Sequence, residues 1–576
     1  MENYMERYNE WLNNPIFDEE TKKELEKIKD NEKEIQERFY KDLEFGTAGL
    51  RGIIGSGTNR MNIYTVGKAT QGLANYINKK GGQDRGVAIA YDSRRKSKEF
   101  SEKIALCLNA NGIKTYLFDD VRPTPELSYA VRKLRCISGI VVTASHNPPE
   151  YNGYKVYWED GAQIVDPIDG EIINEIKEIN DFAEIKTMDK QEAIERGLYN
   201  IIGEEIDNSY IEELKKLVIN PEIIKKAQKD LKIVYTPLHG TGAKLAKMIL
   251  KEVGFENVYI VKEQEMPDGE FPTVDYPNPE DNNSFKLAIE LAKKVDADLV
   301  VANDPDADRF GLFAKDSKTN EYVKFNGNMS ANLTLEYILS QRKQKNTLPS
   351  NGAVITTIVS SKMTDAICEN YGVKLFKTLT GFKNIAKIIR GFEENNNSYE
   401  CLYSYEESYG CIIGTHARDK DGIVALMALC EIAAYYKEKN MTLCDVMTEM
   451  YERYGYYLED QISLVLQGIE GEMKIKKMME DLRENPVLKI GDYSVEEIED
   501  IQTGKIHNYI TGEDKENDIP RSNVLCYKLE NGSWWCARPS GTEPKIKFYF
   551  GVRETTAEKA KALLNELKDS INNIEN

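Results

Sequence analysis

The chain has 576 residues, 41% hydrophobic and 30% charged, enough for several cored domains of ~100–200 residues each. A formal net charge of −20 argues against a general nucleic-acid binder or a partner of anionic membranes, while local Arg and Lys clusters leave room for a small anionic substrate. Nine scattered cysteines, none spaced C-x-x-C, argue against a disulfide framework or a structural zinc site and fit a reducing cytoplasm.

The first residues, MENYMERYNEWLNN, show neither the basic nor the apolar region of a signal peptide, so a cytoplasmic location is expected. Residues 1–40 are charged and helix-prone. Trp11, Ile16 and Leu25 are spaced too loosely for a core helix, so this stretch is expected to be a helical extension packed on the first domain. From Asp84, β-rich runs alternate with helical spacing. Runs 86–91, 113–118 and 137–143 predict buried strands, with a helix over 97–110. The alternation recurs at 231–236, 258–263 and 297–302, with a helix near 243–253. It recurs again at 353–359, 373–378 and 399–404, with helices near 362–370 and 384–393. The most apolar helical stretch, Gly422 to Cys430, is too short to span a bilayer. A helix over 441–454, strand-like runs at 460–466, WWCARPSG and KIKFYFGV, and a helix over 555–574 predict a small α+β domain. The polar segment 503–518 is expected to be a surface loop. The predicted organisation is an extension over 1–40, α/β domains over 41–205, 206–321 and 322–450, and an α+β domain over 451–576.

Five loops carry chemistry. Phe45-Gly-Thr-Ala-Gly-Leu-Arg-Gly52 has three glycines in eight residues, a mark of unusual dihedrals or close backbone approach. Its N–H groups and Arg51 suit an anion, though an ordinary glycine turn reads equally well. Thr143-Ala-Ser-His-Asn-Pro-Pro-Glu-Tyr-Asn-Gly-Tyr-Lys155 follows a buried strand, which places Ser145 where open α/β sheets gather ligands. The Ser145 hydroxyl suits accepting and donating a phosphoryl group, given a cation and a proton carrier, for which Lys155 is a candidate. His146 adjoins it, but neighbours on an extended chain point apart, so no Ser–His pair is expected.

Asn303-Asp-Pro-Asp-Ala-Asp-Arg309 also follows a buried strand, with Asp304, Asp306 and Asp308 alternating on one extended face. At ~6 Å each pair repels by about 3 kcal/mol at an effective dielectric of ~20, which a hard divalent cation relieves. A solvated loop would feel less than ~1 kcal/mol per pair, but the apolar run Leu299–Ala302 argues for burial. An EF-hand needs Gly and Glu where Arg309 and Lys315 stand. A haloacid-dehalogenase-type hydrolase usually carries Thr or Val where Asp308 stands.

Tyr405-Glu-Glu-Ser-Tyr-Gly410 offers Glu406 and Ser408 to sugar hydroxyls, and a plain polar turn is the even alternative. Thr380-Gly-Phe-Lys383 and Arg418-Asp-Lys-Asp-Gly422 flank it and add cations. Arg538-Pro-Ser-Gly-Thr-Glu-Pro-Lys-Ile-Lys547 presents a guanidinium fork, hydroxyls and a glycine, more an anion nest than a catalytic loop. No G-x-x-x-x-G-K-[ST], G-x-G-x-x-G or H-E-x-x-H is present, and His146, His239, His416 and His507 are not spaced as zinc ligands.

Together these motifs resemble the α-D-phosphohexomutase superfamily, which includes phosphoglucomutase and phosphomannomutase, over residues ~40 to 550 and in the family's order. FGTAGLRG, DPDADR, EESYG with RDKDG, and RPSGTEPKIK look most like its phosphoglucomutase-2-like branch of bacterial phosphoglucomutases and animal phosphopentomutase. The resemblance implies four domains around a central cleft: three related mixed-sheet α/β domains and a C-terminal TATA-binding-protein-like α+β domain. It implies Ser145 as the phosphoserine and Mg2+ held by Asp304, Asp306, Asp308 and the Ser145 phosphate. Arg51 and Lys155 would assist proton transfer and phosphate stabilisation, and Arg309 would line the metal loop. Thr380, Gly381, Lys383, Glu406, Ser408 and Lys420 would grip the sugar. Arg538, Ser540, Gly541 and Thr542 would anchor the other phosphate. The implied activity interconverts glucose 1-phosphate and glucose 6-phosphate, with glucose 1,6-bisphosphate as intermediate and activator. Mannose and pentose phosphates are alternatives, and a monomer or dimer without nucleic-acid or membrane partners is expected. From other classes, an Asp-nucleophile phosphatase and a non-catalytic sugar-phosphate binder remain as readings. The chain departs from the common DGDGDR at Pro305 and Ala307. It carries Lys545 and Lys547 where relatives often have a second arginine, and Tyr409-Gly410 near where some have a histidine.

Overall fold

Three short helices begin the chain: α1 (Tyr4–Asn13), α2 (Glu19–Lys27) and α3 (Glu32–Phe39). The structure, a computed structural model, describes residues 4–46, 49–396, 398–466, 468–490, 492–540 and 545–572. Asp18 and Asn31 cap α2 and α3 by accepting the N–H of Thr21 at 2.7 Å and of Glu34 at 3.2 Å. Trp11, Phe17, Leu25, Ile35 and Phe39 are each at most 2% exposed and share one core. Trp11 stacks on Phe17 at 4.2 Å, and Tyr64 and Phe182 meet its edges. The loose spacing in sequence therefore concealed a core. Each helix contributes one or two large side chains, so burial is built between helices and not along one stripe.

The chain forms two compact units, the first being Met1–Ala314 with Gly410–Glu438 and the second Lys315–Tyr409 with Lys439–Asn576. In the first unit one sheet takes β1 (Gly49–Ile53), β2 (Val87–Tyr91), β3 (Thr115–Phe118), β4 (Ser138–Val142), β5 (Tyr151–Trp158) and β6 (Tyr199–Ile202) in the order β1-β5-β4-β2-β3-β6. Strands β2, β3, β4 and β6 run parallel, and β5 and β1 return antiparallel. Every residue of β2 and β4 is buried, as expected of parallel strands covered on both faces. Helices α4 (Ile63–Lys79), α5 (Ser97–Ala110) and α6 (Thr124–Lys133) follow, and α5 and α6 pack on β2 and β4. A second sheet contains β7 (Ile233–Thr236), β8 (Val258–Ile260), β9 (Leu299–Asn303) and β10 (Phe310–Lys315). Here β7 lies parallel to β8 and β9, and β10 antiparallel to β9. The run expected to be strand over 258–263 ends at Ile260, and Lys262–Glu265 is helical.

The second unit opens with β11 (Tyr322–Phe325), then β12 (Gly352–Thr357), β13 (Lys374–Thr378) and β14 (Glu400–Glu406), with β12 parallel to both β13 and β14. The chain returns to the first unit as β15 (Gly410–Ile413) and the helix Gly422–Lys437, which packs on β9 and on the helix Ala243–Val253. The remainder is sheet-rich: β16 (Tyr456–Val465), β17 (Lys489–Ile490), β18 (Tyr493–Asp500), β19 (Lys505–Asn508), β20 (Asp514–Glu516), β21 (Leu525–Leu529), β22 (Trp534–Pro539) and β23 (Lys545–Glu554). Its main order is β16-β23-β22-β21-β18-β19-β20, with helices flanking an apolar face built on Trp535, Phe548 and Phe550. The segment expected to be a loop over 503–518 carries β19 and β20, a hairpin at the sheet edge. An edge strand needs no apolar face, so its polar composition hid it. Ile358 and Val359 pack with Ile501, Val524 and Trp534, joining the α/β layer of this unit to its sheet.

Candidate active site

The loop after β4 turns sharply because Ser145 adopts a left-handed φ of 52°, a conformation costing a non-glycine residue ~1–2 kcal/mol. Local bonds hold it there. The Thr143 hydroxyl accepts the Ser145 N–H at 2.8 Å and donates to Asp92 Oδ2 at 2.5 Å. Arg94, buried and paired with Asp92 at 3.2 Å, donates to the carbonyls of Ser145 and Asn147, of Pro148 at 2.7 Å and of Tyr151 at 3.2 Å. Glycine is required at 153, where a Cβ would lie 2.4 Å from the Thr143 carbonyl oxygen. The same turn corrects the expectation for His146. A left-handed residue folds its neighbour's side chain back, so Ser145 Oγ lies 3.1 Å from His146 Nδ1 while donating to Asp304 Oδ2 at 2.7 Å. Burial, then the guanidinium charges of Arg309 and Arg51, hold the imidazole well below its ordinary pKa, so it is neutral.

The three-aspartate loop is pinned at both ends. Tyr235 donates to Asn303 Oδ1 at 2.9 Å, and Asn303 Nδ2 donates to the Arg309 carbonyl at 2.7 Å. Asp304, Asp306 and Asp308 are 0%, 0% and 2% exposed, with carboxylate oxygens within 4.8 Å of one another. The Thr124 hydroxyl donates to Asp306 Oδ2 at 2.9 Å. Lys155 Nζ lies 2.7 Å from Asp306 Oδ2 and 3.6 Å from Asp308 Oδ2, and Lys420 Nζ lies 3.1 Å from Asp308 Oδ2. Burial, then Asp306 and Asp308, push the Asp304 carboxyl well above its usual range. Burial at Asp306 is outweighed by Lys155, which holds that carboxyl far below it. Asp306 Oδ1 and Asp308 Oδ1 are enclosed and have no hydrogen-bond partner. Two orphaned carboxylate oxygens beside a third carboxylate and a serine hydroxyl form a hard oxygen set that fits a divalent cation.

The first unit also carries the expected residues Arg309, Arg51 and Lys420. Arg309 donates its N–H to Asp304 Oδ1 at 3.0 Å and its guanidinium to Glu280 at 2.8 Å. Arg51 lies on β1 opposite Gly153 of β5. Lys420, expected among the sugar-gripping residues, has its Nζ at the carboxylates, also 2.9 Å from Asp419 Oδ1. The segment before Gly422 docks on the metal loop, where the Gly422 N–H donates to the Ala307 carbonyl at 3.0 Å. A Cβ at 422 would sit 2.3 Å from Asn303 Nδ2.

In the second unit Gly381, with φ 104°, precedes the helix Phe382–Glu394, and its N–H donates to Glu406 Oε1 at 2.7 Å. Thr380, Gly381 and Glu406 are thus brought together at a helix N-terminus, which favours a carboxylate. Lys383 lies in the first turn of that helix, and Ser408 in the turn after β14. Glu407 accepts from the Thr357 hydroxyl at 2.9 Å, and burial, then the Glu406 charge, push its carboxyl up to about 7. Arg538 of β22 lies opposite Lys547 of β23, and the Ser540 N–H donates to the Lys545 carbonyl at 2.7 Å. Gly541 and Thr542 lie outside the described residues.

Sequence reasoning missed Asp92, Arg94, Thr124 and the His146 contact. A signal for the first two existed. Asp92-Ser-Arg94 follows β2, and β2 neighbours β4 in parallel, so both loops leave the same sheet edge.

Three family models match in chain order: phosphoglucomutase/phosphomannomutase alpha/beta/alpha domain I over residues 42–182, domain II over 208–318 and domain III over 326–454. A phosphoglucomutase of Staphylococcus haemolyticus is 36% identical over 517 residues, 90% of this chain and 91% of that one. A phosphoglucomutase of Staphylococcus saprophyticus is 35% identical over 549 residues, 95% of this chain and 96% of that one. Among solved structures, the open form of pp63/parafusin, a Paramecium phosphoglucomutase, aligns with a TM-score of 0.69 at 19% identity, covering 93% of this chain and 95% of that one.

Proposed function

The chain belongs to the phosphoglucomutase/phosphomannomutase family, and on that premise we propose that it interconverts glucose 1-phosphate and glucose 6-phosphate through a phosphoserine at Ser145. The observation that carries this reading is the 2.7 Å contact of Ser145 Oγ with Asp304, inside a carboxylate cluster with two orphaned oxygens. Asp304, Asp306 and Asp308 would hold magnesium, which when bound offsets charge on the transferring phosphoryl oxygens.

The chain's own groups divide the remaining work. The phosphoryl on Ser145 passes to the free hydroxyl of a sugar monophosphate: the new P–O bond forms, the bond to Oγ breaks, and the proton given up by the sugar hydroxyl ends on Ser145 Oγ, which returns to a hydroxyl. Lys155 and Arg51 hold the negative charge that moves with the phosphoryl group. The resulting glucose 1,6-bisphosphate returns its other phosphoryl to Ser145, which leaves the isomeric monophosphate. Arg94 and Thr143 fix the loop so that Oγ keeps its position through both transfers. Glu406, Ser408, Thr380 and Lys383 supply sugar contacts, and Arg538, Ser540, Gly541 and Thr542 anchor the phosphate that does not move. We place the activity in the cytoplasm; no helix among the described residues is long and apolar enough to cross a membrane.

The test is a coupled assay with glucose 1-phosphate, glucose 1,6-bisphosphate and magnesium, beside intact-mass analysis. One added phosphate that disappears in Ser145→Ala together with activity is expected. Full activity in Ser145→Ala, with loss in Asp304→Asn, would instead identify an Asp-nucleophile phosphatase. Faster turnover of mannose or pentose phosphates would move the substrate assignment within the family.

A further inference from the structure

The second unit holds a cavity of about 600 Å³ that the proposed phosphoryl transfer does not use. One wall is the helix Met363–Tyr371 with β13, and the facing wall is β18, β21 and β22. Two cysteines line that facing wall, Cys526 of β21 and Cys536 of β22, and both are reduced. They stand directly opposite each other in the antiparallel pair.

The kind of strand pair decides whether opposed thiols can meet. The Leu529 N–H donates to the Ser533 carbonyl at 2.8 Å. Hydrogen-bonded and non-hydrogen-bonded pairs alternate along an antiparallel ladder. Lys528–Trp534 is therefore a non-hydrogen-bonded pair, Tyr527–Trp535 a hydrogen-bonded one, and Cys526–Cys536 non-hydrogen-bonded again. At such a pair the Cα atoms are about 4.5 Å apart and the side chains at their closest, within the ~4.4–6.8 Å that a disulfide spans. Side-chain direction agrees. Tyr527 and Trp535 point to the apolar core of the sheet, where their rings stack at 3.9 Å, and Cys526 and Cys536 point to the opposite face with Val524, Trp534 and Tyr549. Cys536 is 1% exposed and Cys526 is half-buried, so a small reagent entering the cavity meets Cys526 first. The Lys362 ammonium lies on the same side, 5.3 Å from the centroid of the Trp534 ring. Burial, then the neighbouring Cys526 thiol, push the Cys536 thiol well above its usual range, with Lys362 opposing and Glu499 adding to the rise. Cys536 is therefore a thiol held in reserve beside a more accessible one.

We propose that Cys526 and Cys536 form a site of reversible oxidation by peroxide, in which Cys526 takes the oxygen and Cys536 closes a disulfide across the two strands. The Cys526 thiolate attacks one peroxide oxygen. An S–O bond forms, the O–O bond breaks, and the leaving hydroxide takes up the proton given by the thiol and departs as water. Cys536 then attacks the sulfur of the Cys526 sulfenic acid. The S–S bond forms, the S–O bond breaks, and a second water leaves with the Cys536 proton. Two thiols lose two electrons in all, and one peroxide is reduced to two waters. The opposed pair lets the second step occur without rearranging the strands, so Cys526 is spared further oxidation to the irreversible acids. A dithiol reductant restores both thiols by exchange.

The probe is hydrogen peroxide on the reduced full-length protein, followed by alkylation of the remaining thiols in urea and peptide mass spectrometry without reduction. The expected product is a link between Cys526 and Cys536 within one chain, lighter than the reduced pair by two hydrogens and reversed by dithiothreitol. Cys526 and Cys536 should lose their alkylation together. Cys536→Ala leaves the Cys526 sulfenic acid without a resolving thiol, so dimedone should trap it roughly tenfold more than in the unaltered protein. If that variant does not fold, the link in the unaltered protein decides. Four results would each overturn the assignment: both thiols surviving peroxide that oxidises glutathione in the same time, Cys526 oxidised while Cys536 stays alkylatable, a link that joins two chains, or a dimedone yield unchanged in a folded Cys536→Ala.

Discussion

The Ser145–aspartate cluster and the Glu406–Arg538 region solve different problems. In the first, three carboxylates are at most 2% exposed; their loop is tied to Thr124, Asn303 and Lys155, and the Ser145 loop is tied to Arg94. In the second, Glu406 is fixed by one helix N-terminus, while Arg538 and Ser540 lie half-buried where β22 turns towards β23. Phosphoryl transfer depends on sub-ångström placement, so its groups are preassembled by second-layer bonds. On the proposed reading, recognition of the sugar and of the phosphate that does not move rests on individual charged and polar groups, so each can be removed with a smaller loss.

Substitutions sharpen that contrast. The largest effect belongs to Ser145→Ala, with kcat/KM falling on the order of 10⁴-fold or more and the phosphate absent from the intact mass. Next comes Asp304→Asn, which keeps an acceptor for Ser145 but removes a metal ligand. Turnover should drop on the order of a thousandfold, and the rise in Tm that magnesium gives the unaltered protein should vanish. With EDTA present the variant should be at least as stable as its parent, because one of three crowded carboxylates has gone. A large loss of stability in EDTA would show that the cluster is structural.

Arg94→Lys probes the second-layer bonds. A single ammonium cannot replace a fork that reaches four carbonyls, and each buried carbonyl left unpaired costs ~1–3 kcal/mol. Stability should fall by about 3 kcal/mol and kcat by roughly ten- to a hundredfold, with KM little changed. Arg538→Ala should show the reverse pattern. Losing charge-assisted bonds of ~1.5–3 kcal/mol should raise KM roughly ten- to a hundredfold, with the smaller effect on kcat. If Arg538→Ala lowers kcat as strongly as Arg94→Lys does, the two regions are not functionally distinct.

Much of this was readable in advance wherever the signal was local. The helices Ser97–Ala110 and Ala243–Val253 and the buried strands β2, β4 and β9 follow from apolar period and turn residues. The aspartate spacing after a buried strand pointed to clustered carboxylates, and Asp304, Asp306 and Asp308 do lie together, buried. What stayed hidden was non-local or conformational. Arg94 acts on a loop some fifty residues further on, a relation visible only once β2 and β4 are known to be neighbours. The Ser145–His146 contact depends on one left-handed residue, which nothing in an Ala-Ser-His-Asn string requires. The core around Trp11 is assembled from three helices, each too short to show a stripe.

The smallest effect tests how each region handles its acids. In the first unit Lys155 and Lys420 stand against the carboxylates. Glu407 in the second unit faces the Glu406 carboxylate on one side and the weaker pull of Lys547 on the other, so a proton serves as its counterion. Burial and Glu406 raise its carboxyl from 4.5 to about 7. A raised folded pKa means that the native state binds the proton more tightly than the unfolded chain does. The proton-linked stability is therefore complete below pH ~4.5, declines as pH rises through about 7, and is gone above it. The full shift would correspond to about 3 kcal/mol, and partial exposure of the side chain reduces the expectation to about 1–2 kcal/mol. Glu407→Gln keeps an acceptor for Thr357 and cannot ionise. Urea unfolding should find the variant equal to its parent at pH 4.5 and more stable by about 1–2 kcal/mol at pH 8. Glu459, also raised to about 7, is present in both proteins and cancels in the difference. An equal gap at both pH values would mean that Glu407 is solvated and ordinary, and that the second unit balances its acids with cations just as the first does.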